Sequence, residues 1–299
     1  MIDGIINVYK EKGFTSHDVV AKLRGILKQK KIGHTGTLDP DAVGVLPVCL
    51  GKGTKLCDML TDHNKTYEVV MRLGVTTDTE DMTGTVLTQK EVLCNEQDVE
   101  KGIFHFLGTI EQIPPMYSAL KVNGKKLYEL AREGKVIERK PRTVTIHSIK
   151  LLEMNLPLVK MEVACSKGTY IRSLCRDIGE KLSCGGCMEE LKRTKVGQFE
   201  IAQSLTLSQI ETLVKENQLE KYIVGIEEVF EIYQAVHTKK KSDKLVQNGN
   251  PFEMKDLWEE GQQVTQENPL RVYDSNGTFI GIFQYKKEKN RFYPQKMFL

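Results

Sequence analysis

The first thing this 299-residue chain lacks is a long apolar run. Nothing in it approaches the ~20 consecutive apolar residues a helix needs to span a bilayer, which excludes a membrane-inserted helix. Cysteine is sparse too: the seven residues at 49, 57, 94, 165, 175, 184 and 187 are scattered and odd in number. With no signal peptide ahead of them, they exclude a disulfide framework and point to reduced thiols in the cytoplasm. Cys184-Gly-Gly-Cys187 is a lone pair. A structural zinc site needs two further ligands at suitable spacing that the sequence does not offer, so no metal is expected. Repeats and low-complexity segments are missing as well. So is a strong excess of one charge: 43 Lys and Arg against 40 Asp and Glu leave a formal +3. That is too little to announce a nucleic-acid binder, because affinity for phosphates depends on where positive charge clusters.

What is present is enough apolar residue, 40%, for a real core, and enough length for one large domain and a small one. Positive charge is concentrated between Leu120 and Lys150, where nine Lys and Arg face three acids. Such a patch suits phosphates or is simply a solvated charged face. Gly4–Val8, Thr66–Leu73 and Leu158–Ala164 read as strands. After a turn at Lys12-Gly13-Phe14, Ser16 reads as the N-cap of a helix with Val19, Val20, Leu23, Ile26 and Leu27 on its core face. Strands and helices intersperse without a βαβ rhythm, which favours an α+β fold around a mixed sheet. Near Phe230 acid-rich helical sequence gives way to His237-Thr-Lys-Lys-Lys241 and then short strands, with Asp274-Ser-Asn-Gly277 marking a hairpin. This is the expected domain boundary. The tail from 239 carries 11 basic and 8 acidic residues, hence the whole +3, in keeping with either RNA binding or solubility.

The stretch Lys30–Pro47, KKIGHTGTLDPDAVGVLP, stands apart: an exposed pair of carboxylates, Asp39 and Asp41, follows glycines and threonines that read as a loop offering little to a core. Three chemistries compete for it. A phosphate-binding glycine loop fails on spacing, since Leu46 stands where a Walker A loop needs glycine and Gly53 where it needs Ser or Thr. An aspartate-nucleophile phosphatase has the D-x-D spacing, but Gly33-His-Thr-Gly-Thr37 is no buried apolar strand to carry it. The third is a single carboxylate working at a sugar carbon. It must stay ionised, and an arginine partner would favour the charged form and fix its geometry. Nothing in the loop supplies one; Arg172 in Cys165-Ser-Lys-Gly-Thr-Tyr-Ile-Arg172, at the start of a helix reaching about Leu182, is the distant candidate.

Five blocks then occur together and in order: GHTGTLDP at 33–40, KTY at 65–67, QIPPMYSALKVNGKKLYELAREG at 112–134, CSKGTYIRSL at 165–174 and LKRTKVGQF at 191–199. Together they resemble the TruB family of tRNA pseudouridine-55 synthases, from GIINVYKEKGFTSHDVV near the N-terminus through the tail. The resemblance implies a mixed, mainly antiparallel pseudouridine synthase sheet in a catalytic domain at 1–232. It further implies a basic RNA-gripping loop inserted at 120–142 and a small β-rich PUA-like module at 236–299. Asp39 matches the catalytic aspartate, Tyr67 the tyrosine that stacks on the target base and helps remove the C5 proton, and Arg172 the partner of the aspartate. Leu191 matches an apolar wall of the base pocket and His34 a histidine that fills the RNA stack when the base leaves. Lys10 and Gly36 join the substrate-binding set, with Lys121, Lys125, Lys126, Arg132 and Arg139 on the backbone of the tRNA T arm. The implied enzyme is a cytoplasmic monomer that needs neither cofactor nor protein partner. Two stretches depart from the pattern, Asp41-Ala-Val43-Gly44 after the Asp-Pro and Val8-Tyr-Lys-Glu11 in the N-terminal strand, and neither change removes a residue the chemistry needs.

Overall fold

A computed structural model describes residues 1–122, 124–258, 264 and 268–299. Strand β1 (Gly4–Lys10) leads through helix α1 (Ser16–Leu27) to β2 (Ile32–His34) and β3 (Val43–Leu50). A short helix α2 (Cys57–Thr61) precedes β4 (Lys65–Leu73), the hairpin β5 (Val75–Thr77) and β6 (Val86–Gln89), helix α3 (Glu96–Phe104) and β7 (Gly108–Gln112). The basic segment folds as a minimal hairpin, β8 (Lys121–Val122) with β9 (Lys125–Lys126), followed by α4 (Leu127–Arg132). Then come β10 (Arg142–Asn155), β11 (Leu158–Cys165), α5 (Ile171–Lys181), β12 (Gly186–Val196), β13 (Phe199–Glu200), α6 (Leu207–Lys215) and β14 (Ile223–Val224). The tail contributes β15 (Ala235–His237), α7 (Asp243–Gln247), β16 (Leu270–Tyr273), β17 (Phe279–Lys286) and β18 (Arg291–Met297).

The main sheet runs β14-β1-β3-β12-β4-β11-β10-β7, with β2 on β3 and β13 on β12. Every neighbour is antiparallel except β3 and β12, so the sheet is mixed and mainly antiparallel. That one parallel junction is close: a Cβ at Gly44, whose φ is +107°, would collide with the Arg193 main chain. Strand β4 alternates buried and half-buried residues along its whole length because one face packs against α5. Val69, Met161, Val163, Leu174 and Ile178 fill that layer. Helices α1 and α6 cover the other end of the sheet through Val19, Leu23 and Ile210 on Ile6, Val8, Leu46 and Val48.

The basic segment leaves the sheet where β7 and β10 pair, Gln112 lying opposite Arg142, so it is an excursion from an edge strand. Met116 and Leu127 are buried beneath it, while Tyr117, Tyr128 and Leu130 are half-buried. The tail forms a four-stranded sheet, β15-β16-β17-β18, with its own core of Val236, Phe252, Leu270 and Phe283. It also shares a core with the body, in which Phe230, Ile282 and Phe298 pack with Ile5, Leu56 and Phe199. Lys55 Nζ closes this joint by donating to the Met297 and Leu299 carbonyls, both at 3.1 Å.

Three local expectations change. The N-cap of α1 is Thr15, whose hydroxyl accepts from Asp18 N while the Asp18 carboxylate accepts from Thr15 N. Ser16 is freed for another task, described below. Gly33 and His34, read as loop, lie in β2 because they pair with Cys49 and Val48. Finally, Lys30–Pro47 does feed the core: Leu38 and Ala42 are buried with Tyr67 and Leu191, and Val45 and Leu46 are fully buried.

Candidate active site

The loop bearing Asp39 joins β2 to β3 and is held from the N-terminal segment. Ser16 Oγ, buried at the start of α1, accepts the Leu38 N–H at 3.0 Å. Pro40 O accepts from Gly13 N at 3.0 Å and from Lys10 Nζ at 2.9 Å. Ala42 N closes a turn onto Asp39 O at 3.1 Å. Lys10 is therefore fully buried as a clamp on the loop, its amine lowered to about 8 by burial against the pull of Asp39 and Asp41. As placed it meets main-chain carbonyls and not the solvent side of the cleft.

Arg172 lies in the first turn of α5, whose start is fixed by Gln112: Tyr170 N donates to Gln112 Oε1 and Gln112 Nε2 to Tyr170 O. Its guanidinium holds Asp39 through a hydrogen bond from Nη2 to Oδ1 at 3.2 Å and an ion-pair contact of Nε with Oδ2 at 3.0 Å. The other donors reach Tyr117 O at 2.8 Å, Thr79 O at 3.0 Å and the Asp81 carboxylate at 3.5 Å. Three hydrogen bonds and two ion-pair contacts thus surround a guanidinium whose side chain is only 6% exposed, as a buried charge requires. Asp39 keeps 39% of its side-chain surface open, so the pair presents its carboxylate and hides its cation. The expectation of an exposed pair of carboxylates fails: Asp41 is exposed, whereas Asp39 is half-buried and paired with Arg172.

Burial pushes the Asp39 carboxyl above the usual carboxylate value; Arg172 pulls it back and Asp81 adds to the rise. The arginine therefore offsets desolvation without overturning it, a weaker result than the sequence suggested. Tyr67, on β4, and Leu191, on β12, lie in one buried cluster with Leu38. Burial raises the Tyr67 phenol to about 12, with Arg193 pulling against it, so the hydroxyl keeps its proton at neutral pH. The Asp39 charge adds to that rise, and Leu38, its chain neighbour, packs in the same buried cluster as the Tyr67 ring and Leu191.

A family model described as TruB family pseudouridylate synthase, N-terminal domain, matches residues 24–171. One described as tRNA pseudouridylate synthase B C-terminal domain matches 172–231. The chain belongs to the TruB family. Among curated relatives, the tRNA pseudouridine synthase B of Lachnoclostridium phytofermentans is 57% identical, with 100% of both chains covered. That of Clostridium kluyveri is 48% identical over 96% of this chain and 99% of the relative. Among solved structures, a chain of a Cbf5–Nop10–Gar1 complex is 27% identical with a TM-score of 0.73, covering 99% of this chain and 85% of that one. A chain of an H/ACA ribonucleoprotein bound to a substrate RNA containing 2′-deoxyuridine is 25% identical, again with a TM-score of 0.73 and the same coverage.

Within this TruB chain the remaining expected residues fall in two places. His34 ends β2 at the mouth of the Asp39 loop, and Gly36, at φ +117°, offers its carbonyl to Arg193 Nη2 at 3.4 Å. Lys121, Lys125 and Arg132 are exposed on the insertion. Lys126 and Arg132 flank the Tyr128 ring, 5.3 and 5.4 Å from its centroid, and half-buried Arg139 donates to Pro114 O at 3.0 Å. Sequence reasoning missed Asp81 and Arg193. Asp81 sits in a turn-rich Thr-Asp-Thr-Glu-Asp segment whose polar density was the available signal; Thr79 and Thr83 hydroxyls hold its carboxylate. Arg193 is 1% exposed, donates to Val45 O at 2.7 Å, and its charge pulls the Tyr67 phenol toward ionisation. Nothing in LKRTK separates it from its exposed neighbours.

Proposed function

We propose that this TruB-family enzyme converts uridine 55 in the T arm of tRNA to pseudouridine, acting as a cytoplasmic monomer on the bare RNA. The reaction breaks the N1–C1′ bond, turns the uracil and joins C5 to C1′; C5 loses a proton and N1 gains one. Oxidation state is unchanged, so the balance requires no redox cofactor. Asp39 acts on the ribose or the uracil, Tyr67 stacks on the base and assists proton removal from C5, and Leu191 walls the pocket. Extruding the nucleotide costs a few kcal/mol. Stacking on Tyr67 returns about 1–3 kcal/mol, and His34 entering the vacated stack offsets more.

The observation that carries this reading is the Asp39–Arg172 ion pair, with its carboxylate partly open and its guanidinium buried, near Tyr67 and Leu191. The insertion supports a grip on phosphates through Lys121, Lys125, Lys126, Arg132 and Arg139, and the PUA-like tail is assigned to RNA as well. Relatedness supports action on tRNA itself: identity is 57% to a tRNA pseudouridine synthase B and 25% to a chain of an H/ACA ribonucleoprotein. Tritium release from C5-labelled uridine in a bare tRNA transcript is the test. Wild type is expected to release the label and Asp39→Asn to lose turnover by ~10⁴-fold; equal release by both would end the assignment. The tail and insertion also favour a second role in tRNA folding, for which Asp39→Asn protein should still rescue a folding defect.

A further inference from the structure

His34 has a ring partner. The His17 imidazole lies with its centroid 5.2 Å away and its plane turned by 80°, an edge-to-face pair. His34 needs such support, because its Nδ1 is buried and makes no hydrogen bond of ordinary length and angle. Packing, not hydrogen bonding, fixes the plane of that ring. His17 is the second residue of α1, and its height is set by the reciprocal Thr15–Asp18 cap on one side and by Ser16 on the other. Ser16 holds the Leu38 N–H, directly ahead of Asp39. A single helical turn therefore reaches both ends of the catalytic loop: Ser16 at the carboxylate end, His17 at the His34 end.

We propose that His17 is a positioning residue, holding the His34 ring in the plane it must keep to enter the gap left by the flipped nucleotide. This rests on the stack-filling role given to His34 above. Burial first, with the Arg193 guanidinium adding to it, holds the proton affinity of His34 below the ordinary imidazole range, the Gly36 main chain opposing them. The ring is thereby neutral at physiological pH and enters a base stack without shedding the hydration of a charge. His17 itself is exposed, so its substitution leaves the core intact.

The test is a cycle of His17→Ala, His34→Ala and the double variant, read as single-turnover conversion of a tRNA transcript by excess enzyme. Transcript affinity and Tm are measured alongside. His17→Ala is expected to slow the single-turnover rate by ~2–10-fold, the worth of an aromatic pair, with affinity and Tm unchanged. His17→Phe should restore the rate, and His17→Ala should add no further loss to His34→Ala. A wild-type rate in His17→Ala beside a slow His34→Ala overturns the role of His17 alone. Additive losses, failure of phenylalanine to restore, or a loss confined to affinity overturn it as well. A wild-type rate in His34→Ala overturns instead the reading of His34 on which the proposal stands.

Discussion

Two regions of this molecule use the same side chains in opposite ways. In the cleft, Arg172, Arg193 and Lys10 are buried, and each has acceptors aimed at it by the fold. In the insertion, Lys125 and Lys135 share Glu133 in ion pairs whose lysines are 60% and 61% exposed. Burial makes the difference. A desolvated cation without a partner is costly, so the interior must hold it in one geometry, and that geometry is then available to position a carboxylate. An exposed ion pair is worth little and exchanges freely, so surface lysines remain available to phosphates. Buried cations should govern turnover, and exposed ones affinity and its salt dependence.

The comparison can be broken most directly at Arg172. A lysine there offers three donors from a single point and cannot serve Asp39, Asp81, Thr79 O and Tyr117 O together. Arg172→Lys is expected to lose ~10²–10³-fold in turnover, the scale of removing preorganised donors, with tRNA affinity retained. A loss in affinity with normal turnover would collapse the distinction. Next is Asp81→Asn, expected to cost ~10-fold in turnover through the loosened guanidinium. It should also move the acid limb of the rate profile, because Asp81 raises the Asp39 carboxyl and its removal lowers it. The wild-type limb should lie above the ordinary ~3.9 of an aspartate, and the variant's limb below that of wild type. The stability link has the same origin: a carboxyl raised on folding binds its proton more tightly in the native state. Its contribution is therefore greatest below the unfolded value and declines as pH climbs through the raised one. The smallest effects belong to the insertion. Lys121→Ala and Arg132→Ala should each weaken binding a few-fold at physiological salt and reduce the salt slope by ~1, leaving single-turnover rates at saturating enzyme unchanged.

The strands of the sheet were legible because a half-buried strand must alternate, and β4 and β11 do so residue by residue. The tail hairpin was legible because Asp274 accepts from Asn276 N and Thr278 N, and Gly277 at φ +81° takes the left-handed position. The start of α1 was misplaced by one residue, since both Thr15 and Ser16 can cap, and only the distant Leu38 N–H decides which is released. Asp39 and Arg172 were named from their blocks, but Asp81 and Arg193 carry no local pattern that separates them from surface charges.

By itself the sequence determined which segments alternate, which residues terminate helices, where cations crowd and which family blocks stand in order. These depend on side-chain period and local backbone chemistry, both properties of neighbours along the chain. Only the tertiary structure decided which charges are buried. A guanidinium at 172 meets a carboxylate at 39 because α5 packs on β12, which pairs with the β3 that the Asp39 loop enters, and low dielectric there makes every unpaired donor costly.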